Sequence, residues 1–545
     1  MPNKNTTALL LFLLTFIFYI FTLSPTLTWG DGVRLQSEAI SGESFVFAEM
    51  PPDQFQADPF PFARVGVTAW DHPLYIVLGH TLVRALPFVN SLWLTNLISA
   101  IFGAASIALF FLLCYQYSGS LFAPIYAALA LALSHTFWWH SSTPEVYTLF
   151  VFLLLLSIYF FEQFERTGKN SALTWSAFSL GLAMTDHILA SLAIPALALY
   201  LLLSKKLRLI PLREWKRLIA PALGFAIGFS LYIVQFIRLS QEFEITRIAD
   251  SAVGSTFLNG LGAFSPVVIA GSFLTYLLLL VVQFGPHGIV LGAFGIRRIL
   301  QNADPTQRKV IALYTLYTLF GIFYRVTDQF AFFMTSHVFF AMTMAIGAAH
   351  LSSILTERSR FFLSLGLILT LLCTPPLYRA LPRIMRNNGL DDSFLRIPQI
   401  GTGLRDGLAY YIDPNKRGDF NAYDFGKQTI EGLAPNAVVI AEWYTDTDEY
   451  FILRYFHKIA GMRPDITIYG WPTEDPFSFN SQLVLNVIDD SFPEHPVYLA
   501  SLSERFYSTS TLIERYCIVP ENNLYRLYTR QNDNQGCLGQ DSITE

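Results

Sequence analysis

Apolar runs close to twenty residues long recur along most of this chain, and no other feature restricts its fold so severely. A run of about 20 apolar residues matches the hydrocarbon thickness of a bilayer, where a helix satisfies all its own backbone polar groups. Such runs lie at residues 8–24, 92–115, 121–139, 145–161, 172–185, 188–204, 218–237, 266–296, 310–324, 331–352 and 361–376. Only 14% of the residues are charged, against roughly a quarter in a soluble domain. The runs are continuous and lack the alternation of barrel strands, which argues against a β-barrel. The expected fold is an α-helical polytopic membrane protein.

Two segments are ambiguous. Residues 172–204 form one long span or two short ones turning at Asp186-His187, and residues 266–296 form one span kinked at Gly285-Pro286 or two. Short cytoplasmic loops retain an excess of Lys and Arg. The basic loops here are 205–217, 297–309 and 358–360. All three fall on one side only if 172–204 crosses twice and 266–296 crosses once. That gives about eleven spans, with the N-terminus in the cytoplasm. Loop 25–73, His140 to Glu145, the Asp186-His187 turn, loop 238–264, Tyr324 to Phe330 and everything after about 380 then lie outside. Lys4 ahead of an apolar core also fits a signal peptide, but no A-x-A-like site follows, and an uncleaved anchor is the expectation.

Composition changes after 379, and residues 380–545 form a soluble part, exported in this topology. Strand-like runs at 437–441, 465–469 and 496–500 alternate with helical stretches at 448–459 and 480–489, the pattern of a small parallel α/β sheet. No G-x-G-x-x-G or phosphate loop follows any of them, so nucleotide binding is not supported. Cys114 and Cys373 lie in apolar spans as packing residues. Cys517 and Cys537 either pair, if this part meets an oxidising space, or remain free thiols. A net charge of −5 and the lack of a basic-aromatic platform argue against a nucleic-acid partner.

The candidate site gathers at the outer edge. Asp31 follows the first span within Trp29-Gly30-Asp31-Gly32, where the glycines permit close backbone approach and Trp29 is expected to anchor the helix end at the lipid interface. A carboxylate held there suits a general base towards an acceptor hydroxyl; the bland alternative is a solvated loop acid. Glu145 opens a span behind Pro144, where the helix dipole favours an acid; its other role is substrate binding. His187, beside Asp186, interrupts an apolar stretch, and ionisable groups at membrane depth are costly. Arg325 and Asp328 sit at a helix boundary, and an Arg there either grips a phosphate or snorkels to headgroups. Arg34 is a weaker candidate of the same kind. Asp71 and His72 complete the set of candidate binding residues; their spacing matches no specific ligand set, so no metal is expected. No G-x-S-x-G turn or paired Cys-His arrangement supports a hydrolase.

Together these segments resemble the membrane family containing transmembrane protein 260, related to protein O-mannosyltransferases of GT-C type. The resemblance rests on S-P-T-L-T-W-G-D-G at 24–32, L-W-L-T-N-L-I-S-A-I-F-G-A at 92–104, and S-H-T-F-W-W-H-S-S-T-P-E-V-Y at 134–147. It continues with G-L-A-M-T-D-H at 181–187, Y-R-V-T-D-Q-F at 324–330, L-A-P-N-A-V-V-I at 433–440 and G-M-R-P-D-I at 461–466. It implies sugar transfer from a polyprenyl-phosphate donor, with Asp31 at the position of the catalytic acid and Glu145, His187 and Asp328 at motif positions. The chain departs from the family's D-S-G-E in having Asp31-Gly32-Val33-Arg34, and its H-P-P-G-Y-P-L-Y stretch is shortened to Asp71-His72-Pro73-Leu74-Tyr75.

The expected protein is a membrane glycosyltransferase with residues 1–379 as its transmembrane domain. It would move a hexose, mannose foremost, from polyprenyl phosphate to a hydroxyl of an exported protein or cell-surface glycan. No cofactor is expected beyond the lipid-linked donor. The lone N-x-S/T sequon, at Asn5, falls on the cytoplasmic end and favours a bacterial plasma membrane over the endoplasmic reticulum. The competing classes are a non-catalytic membrane assembly protein and a transporter, which would need midplane polarity and repeats.

Overall fold

The computed structural model describes residues 3–42, 72–203, 216–241, 245–246, 265–301, 305–324, 326, 328–390, 407–443, 449–472, 481–492, 494–530 and 536–539. Helix occupies every apolar run read from the sequence. Among the described residues, six helices are alone long and apolar enough to cross a membrane, and a pair bent by 55° at Phe229 makes a seventh. The other runs are helical but shorter or more polar. The break at Asp186-His187 is real: the helix Asn170–Asp186 ends there and a 3-10 turn, Ile188–Leu192, leads into Ala193–Leu203. Residues 266–301 form one helix kinked at Gly285, whose φ of 64° a glycine adopts without a Cβ penalty. Run 121–139 is two helices, Phe122–Ala132 and His135–Ser142.

Small residues let the central helices approach closely. A Cβ on Gly295 would lie 1.8 Å from the Thr343 carbonyl oxygen, and one on Gly347 would lie 2.0 Å from that of Leu291. Helices Pro266–Gln301 and Met334–Ile354 therefore pack backbone to backbone there, as small residues allow between membrane helices. Large apolar residues such as Leu9, Leu14, Ile17, Ile227 and Leu372 are exposed, which is how a lipid-facing surface looks when the bilayer is the solvent.

The first long loop is not irregular throughout. It carries a helix at each end, Asp31–Ser41 and Pro73–Ala85, and the two pack on each other at Gly79, where a Cβ would approach Ala39 Cβ to 2.7 Å. The last long helix, Glu357–Asn387, continues through position 379.

Beyond it stands a five-stranded sheet of order β2-β1-β3-β5-β4: β1 (Val438–Trp443), β2 (Thr467–Pro472), β3 (Val497–Leu499), β4 (Tyr516–Glu521) and β5 (Leu524–Thr529). The first three strands are parallel, as expected. The sheet is nevertheless mixed, because β4 and β5 form an antiparallel hairpin joined to β3. Asn522 and Asn523 turn that hairpin with φ of 51° and 64°, the type I′ geometry that asparagine tolerates and that suits strand twist. Cys517 and Cys537 form a disulfide. Cys114 is buried as expected, but Cys373 is exposed on its helix and packs no core.

Candidate active site

The polypeptide leaves the helix Lys4–Thr22 in extended conformation and is pinned at once to two other helices. Ser24 N–H donates to the Ser142 carbonyl at 2.9 Å. Trp138 Nε1 donates to Thr22 Oγ1 at 2.9 Å. Asn96, inside the helix Ser91–Ser118, donates to the carbonyls of Ser24 and Thr26 at 2.9 and 3.0 Å and accepts from Gln36 Nε2 at 2.8 Å. All of these groups are buried. Buried polar groups that satisfy one another fix a unique arrangement, so the approach to Asp31 is rigid.

Asp31 is the first residue of the helix Asp31–Ser41 and is exposed. Gly30 ahead of it has φ 77°, the left-handed turn that aims the new helix. Gly32 has no room for a side chain: a Cβ would lie 2.2 Å from Thr28 Oγ1 and 2.9 Å from Pro144 Cγ. That contact brings the Asp31 turn against Thr143-Pro144-Glu145. Glu145 stands two residues before the helix Tyr147–Thr167 instead of in its first turn. Its backbone is clamped to Ser99, whose hydroxyl accepts from Glu145 N–H and donates to its carbonyl, both at 3.0 Å.

Three acids meet here. Glu145 retains some exposed surface, but protein surrounds it closely enough that burial pushes its carboxyl well above the usual carboxylate range. The charges of Asp31 and Asp328 push it further, and Arg34 opposes them. Asp328 caps the short helix Gln329–Phe332. Arg34 is buried, one turn beyond Asp31, and pairs with Glu38 at 3.5 Å. A buried carboxyl pushed towards its neutral form is a common active-site feature.

His72 and His187 lie together, their rings 5.3 Å apart. His72 Nδ1 bonds the Asp186 carbonyl and therefore carries the proton there. His187 Nδ1 accepts from Leu189 N–H at 3.2 Å. Tyr147, Phe150 and Phe332 surround His187 at 5.2, 5.6 and 6.1 Å, and His140 continues the wall, 4.9 Å from Tyr147 and 5.4 Å from Phe330. Asp31, Glu145 and Asp328 thus share one site, with His72 and His187 on its aromatic flank. Asp71 and Arg325 lie outside the described residues.

The α/β part roofs this site. Trp29 does not sit at the lipid interface: it is buried, 5.2 Å from Phe425, because the roof's core continues through Leu27, Trp29, Val33 and Trp139. Lys416 reaches down from the roof with 2% of its surface exposed. Its backbone N–H donates to the Thr22 carbonyl at 3.0 Å and its ammonium lies 4.1 Å from the Tyr410 ring centre and 5.4 Å from that of Trp139. Burial lowers its pKa to about 8, against the opposing pull of Asp419 and Asp413.

The chain is similar to known proteins in part of its sequence and in its fold. Residues 71–210 match the protein O-mannosyl-transferase TMEM260 N-terminal domain. That stretch holds His72, Glu145 and His187. The mouse protein O-mannosyl-transferase TMEM260 is 26% identical over 193 residues, which is 35% of this chain and 27% of the mouse protein. The chain therefore aligns with about a quarter of that relative's length. In fold it is similar to ArnT from Cupriavidus metallidurans bound to undecaprenyl phosphate, with a TM-score of 0.59 at 11% identity over 96% of this chain and 97% of that one. The apo form of ArnT gives 0.57 at 12% identity over 96% and 98%. The chain is an integral membrane protein with the fold of a GT-C glycosyltransferase.

Sequence reasoning missed Asn96, Ser99 and Lys416. The first two carry a readable signal, polar residues three apart inside an apolar run. Lys416 carries none: its ammonium bonds the Tyr410 and Asp413 carbonyls of its own segment and faces Trp139, contacts that only the fold brings together.

Proposed function

We propose that this chain is a membrane glycosyltransferase that moves a hexose, mannose foremost, from a polyprenyl-phosphate donor to a hydroxyl of an exported protein or a cell-surface glycan. The observation that carries the reading is the placement of exposed Asp31 at a helix start, facing Glu145 and Asp328 beneath the α/β roof. The likeness to the TMEM260 N-terminal domain over 71–210 and to the ArnT fold supports it.

In this mechanism Asp31 accepts the proton of the acceptor hydroxyl as its oxygen attacks the anomeric carbon. The bond from that carbon to the phosphate oxygen breaks, and the electron pair leaves with the lipid phosphate, giving inversion. Arg325 stabilises the departing phosphate. Glu145 and Asp328 orient the sugar, His72 and His187 line its flank, and Asp71 contributes to substrate binding. We read the site as lying outside the cytoplasm, because the sequence assigns the basic loops to the cytoplasmic side. The Cys517–Cys537 disulfide fits an oxidising compartment there.

The test is transfer of labelled mannose from polyprenyl-phosphate mannose to hydroxyl-bearing peptide and glycan acceptors by the purified protein. Donor-dependent incorporation is expected; none from polyprenyl-phosphate mannose or glucose would reject the reading.

A further inference from the structure

Three helices come together twice in this fold, once at the candidate site and once at their far ends. At the site, Ser91–Ser118 supplies Ser99, which clamps the backbone of Glu145, and Glu145 leads into Tyr147–Thr167. Asp328 is tied to the end of Pro305–Phe323. Gln329, next in the chain, donates through Nε2 to the Gly321 carbonyl at 2.8 Å and to that of Tyr324 at 3.2 Å.

At the far ends of these same helices lies a buried ionic cluster that the reaction does not use. Glu162 is its centre: its carboxylate accepts from the Tyr117 hydroxyl of the first helix and faces Lys309 Nζ of the third at 3.9 Å. Lys309 also donates to Glu165, and its ammonium lies 4.9 Å from the Phe161 ring centre and 4.7 Å from that of Tyr200. Gln307 Nε2 adds a bond to the Tyr117 carbonyl at 3.2 Å. The side chains of Lys309, Glu162 and Glu165 keep only 2%, 1% and 9% of their surface exposed. Lys309 thus turns inward where its neighbour Arg308 stays exposed.

Stability does not account for such a cluster. Desolvation of two acids and an ammonium offsets much of their attraction, and apolar replacement of a buried ion pair is often neutral or stabilising. Register is what a buried pair holds well. Lys309 meets both Glu162 and Glu165 at one axial setting of its helix, whereas an apolar helix surface repeats after a slide of one turn, about 5.4 Å. From Glu162 back to Tyr147 the helix rises roughly 22 Å at about 1.5 Å per residue. A slide at one end therefore appears at the other, where the acids stand.

We propose that Glu162, Glu165 and Lys309 are positioning residues, a clasp that sets the axial register of these helices and through it the spacing of Glu145 and Asp328. The inference rests on the reading that those two acids orient the transferred sugar.

The test uses the full chain in phosphatidylcholine nanodiscs, in a Cys373→Ser background. Spin labels on Thr167→Cys, at the clasp end of the second helix, and on Leu319→Cys, near the site end of the third, read the axial offset as a distance; both positions are exposed. Glu162→Gln, Glu165→Gln and Lys309→Met together remove the clasp without stranding one of its charges. In that triple variant the distance should shift by at least about 1–2 Å, the scale of helix slides between packed arrangements. Its kcat for sugar transfer should fall at least about tenfold with KM within about threefold, since misplaced groups cost rate before binding. It should unfold no earlier than its parent. Glu162→Gln alone should move distance and kcat the same way by less, and Lys309→Arg, which keeps the charge, should leave the distance unchanged. An unchanged distance in the triple variant, or a shifted distance with the parent's kcat, would overturn the proposal. So would a triple variant that fails to fold or loses rate only in step with folded protein, because the cluster would then be a structural pin. A shifted distance in a protein whose parent transfers no sugar would support the clasp while removing the reading of the reaction.

Discussion

Gly32→Ala isolates the geometry that aims Asp31. The new methyl carbon would lie 2.2 Å from Thr28 Oγ1 and 2.9 Å from Pro144 Cγ, where ordinary contact begins at 3.4 Å. The turn must therefore open by about 1 Å. Overpacking of this kind costs ~1–3 kcal/mol, and replacing a helical glycine by alanine returns up to ~1 kcal/mol. Net destabilisation should be about 2 kcal/mol when the full return is realised and at most about 3 kcal/mol, read as a modest drop in unfolding temperature in detergent. Transfer should suffer far more, since a displacement of ~1 Å at reacting groups can cost about 10²-fold. Thr28→Ala should restore part of the rate in the double variant, because it removes the nearer clash and Thr28 Oγ1 makes no hydrogen bond among the described residues. Wild-type transfer and stability in Gly32→Ala would refute the claim that this contact positions the acid.

Three further predictions follow from the same contacts. Glu145→Gln mimics the neutral form that burial and its acidic neighbours favour, so transfer near neutral pH should stay within about tenfold of wild type. The decline as pH rises through the raised pKa should vanish from its pH–rate profile. Lys416 titrates at about 8 in the fold instead of 10.5, so between those values the unfolded chain binds more protons and stability should rise with pH. The gain is of order 3 kcal/mol, and Lys416→Met should flatten it in thermal unfolding at pH 8 to 10.5. Asn96→Leu strands the buried carbonyl of Ser24 and removes one hydrogen bond each from the Thr26 carbonyl and the Gln36 amide, which remain bonded to each other at 3.2 Å. At ~1–3 kcal/mol for the unsatisfied carbonyl and about 1 kcal/mol for each of the two other lost bonds, it should lower the unfolding temperature more than Gly32→Ala does.

What was legible in the sequence followed from periodicity and charge. The membrane helices, the break at Asp186-His187, the Gly285 kink and the three parallel strands all leave a local pattern. The β4–β5 hairpin escaped because its Asn522-Asn523 turn joins short strands with weak alternation. Trp29 misled for a different reason: an interfacial tryptophan and one buried beneath a soluble roof look alike until the roof is in place. The convergence of Asp31, Glu145 and Asp328 follows from tertiary packing, and only their positions at helix starts hinted at it. Ser99 and Asn96 hold that convergence together from inside an apolar helix.

The central claim is that Asp31 is the base. Asp31→Asn keeps size and shape while removing charge and basicity. The residue is exposed, so stability should change by no more than about 0.5 kcal/mol. Sugar transfer from polyprenyl-phosphate mannose should fall by about 10²–10⁴-fold, measured beside thermal unfolding of the same preparation. A well-folded Asn variant that transfers at the wild-type rate would contradict the account.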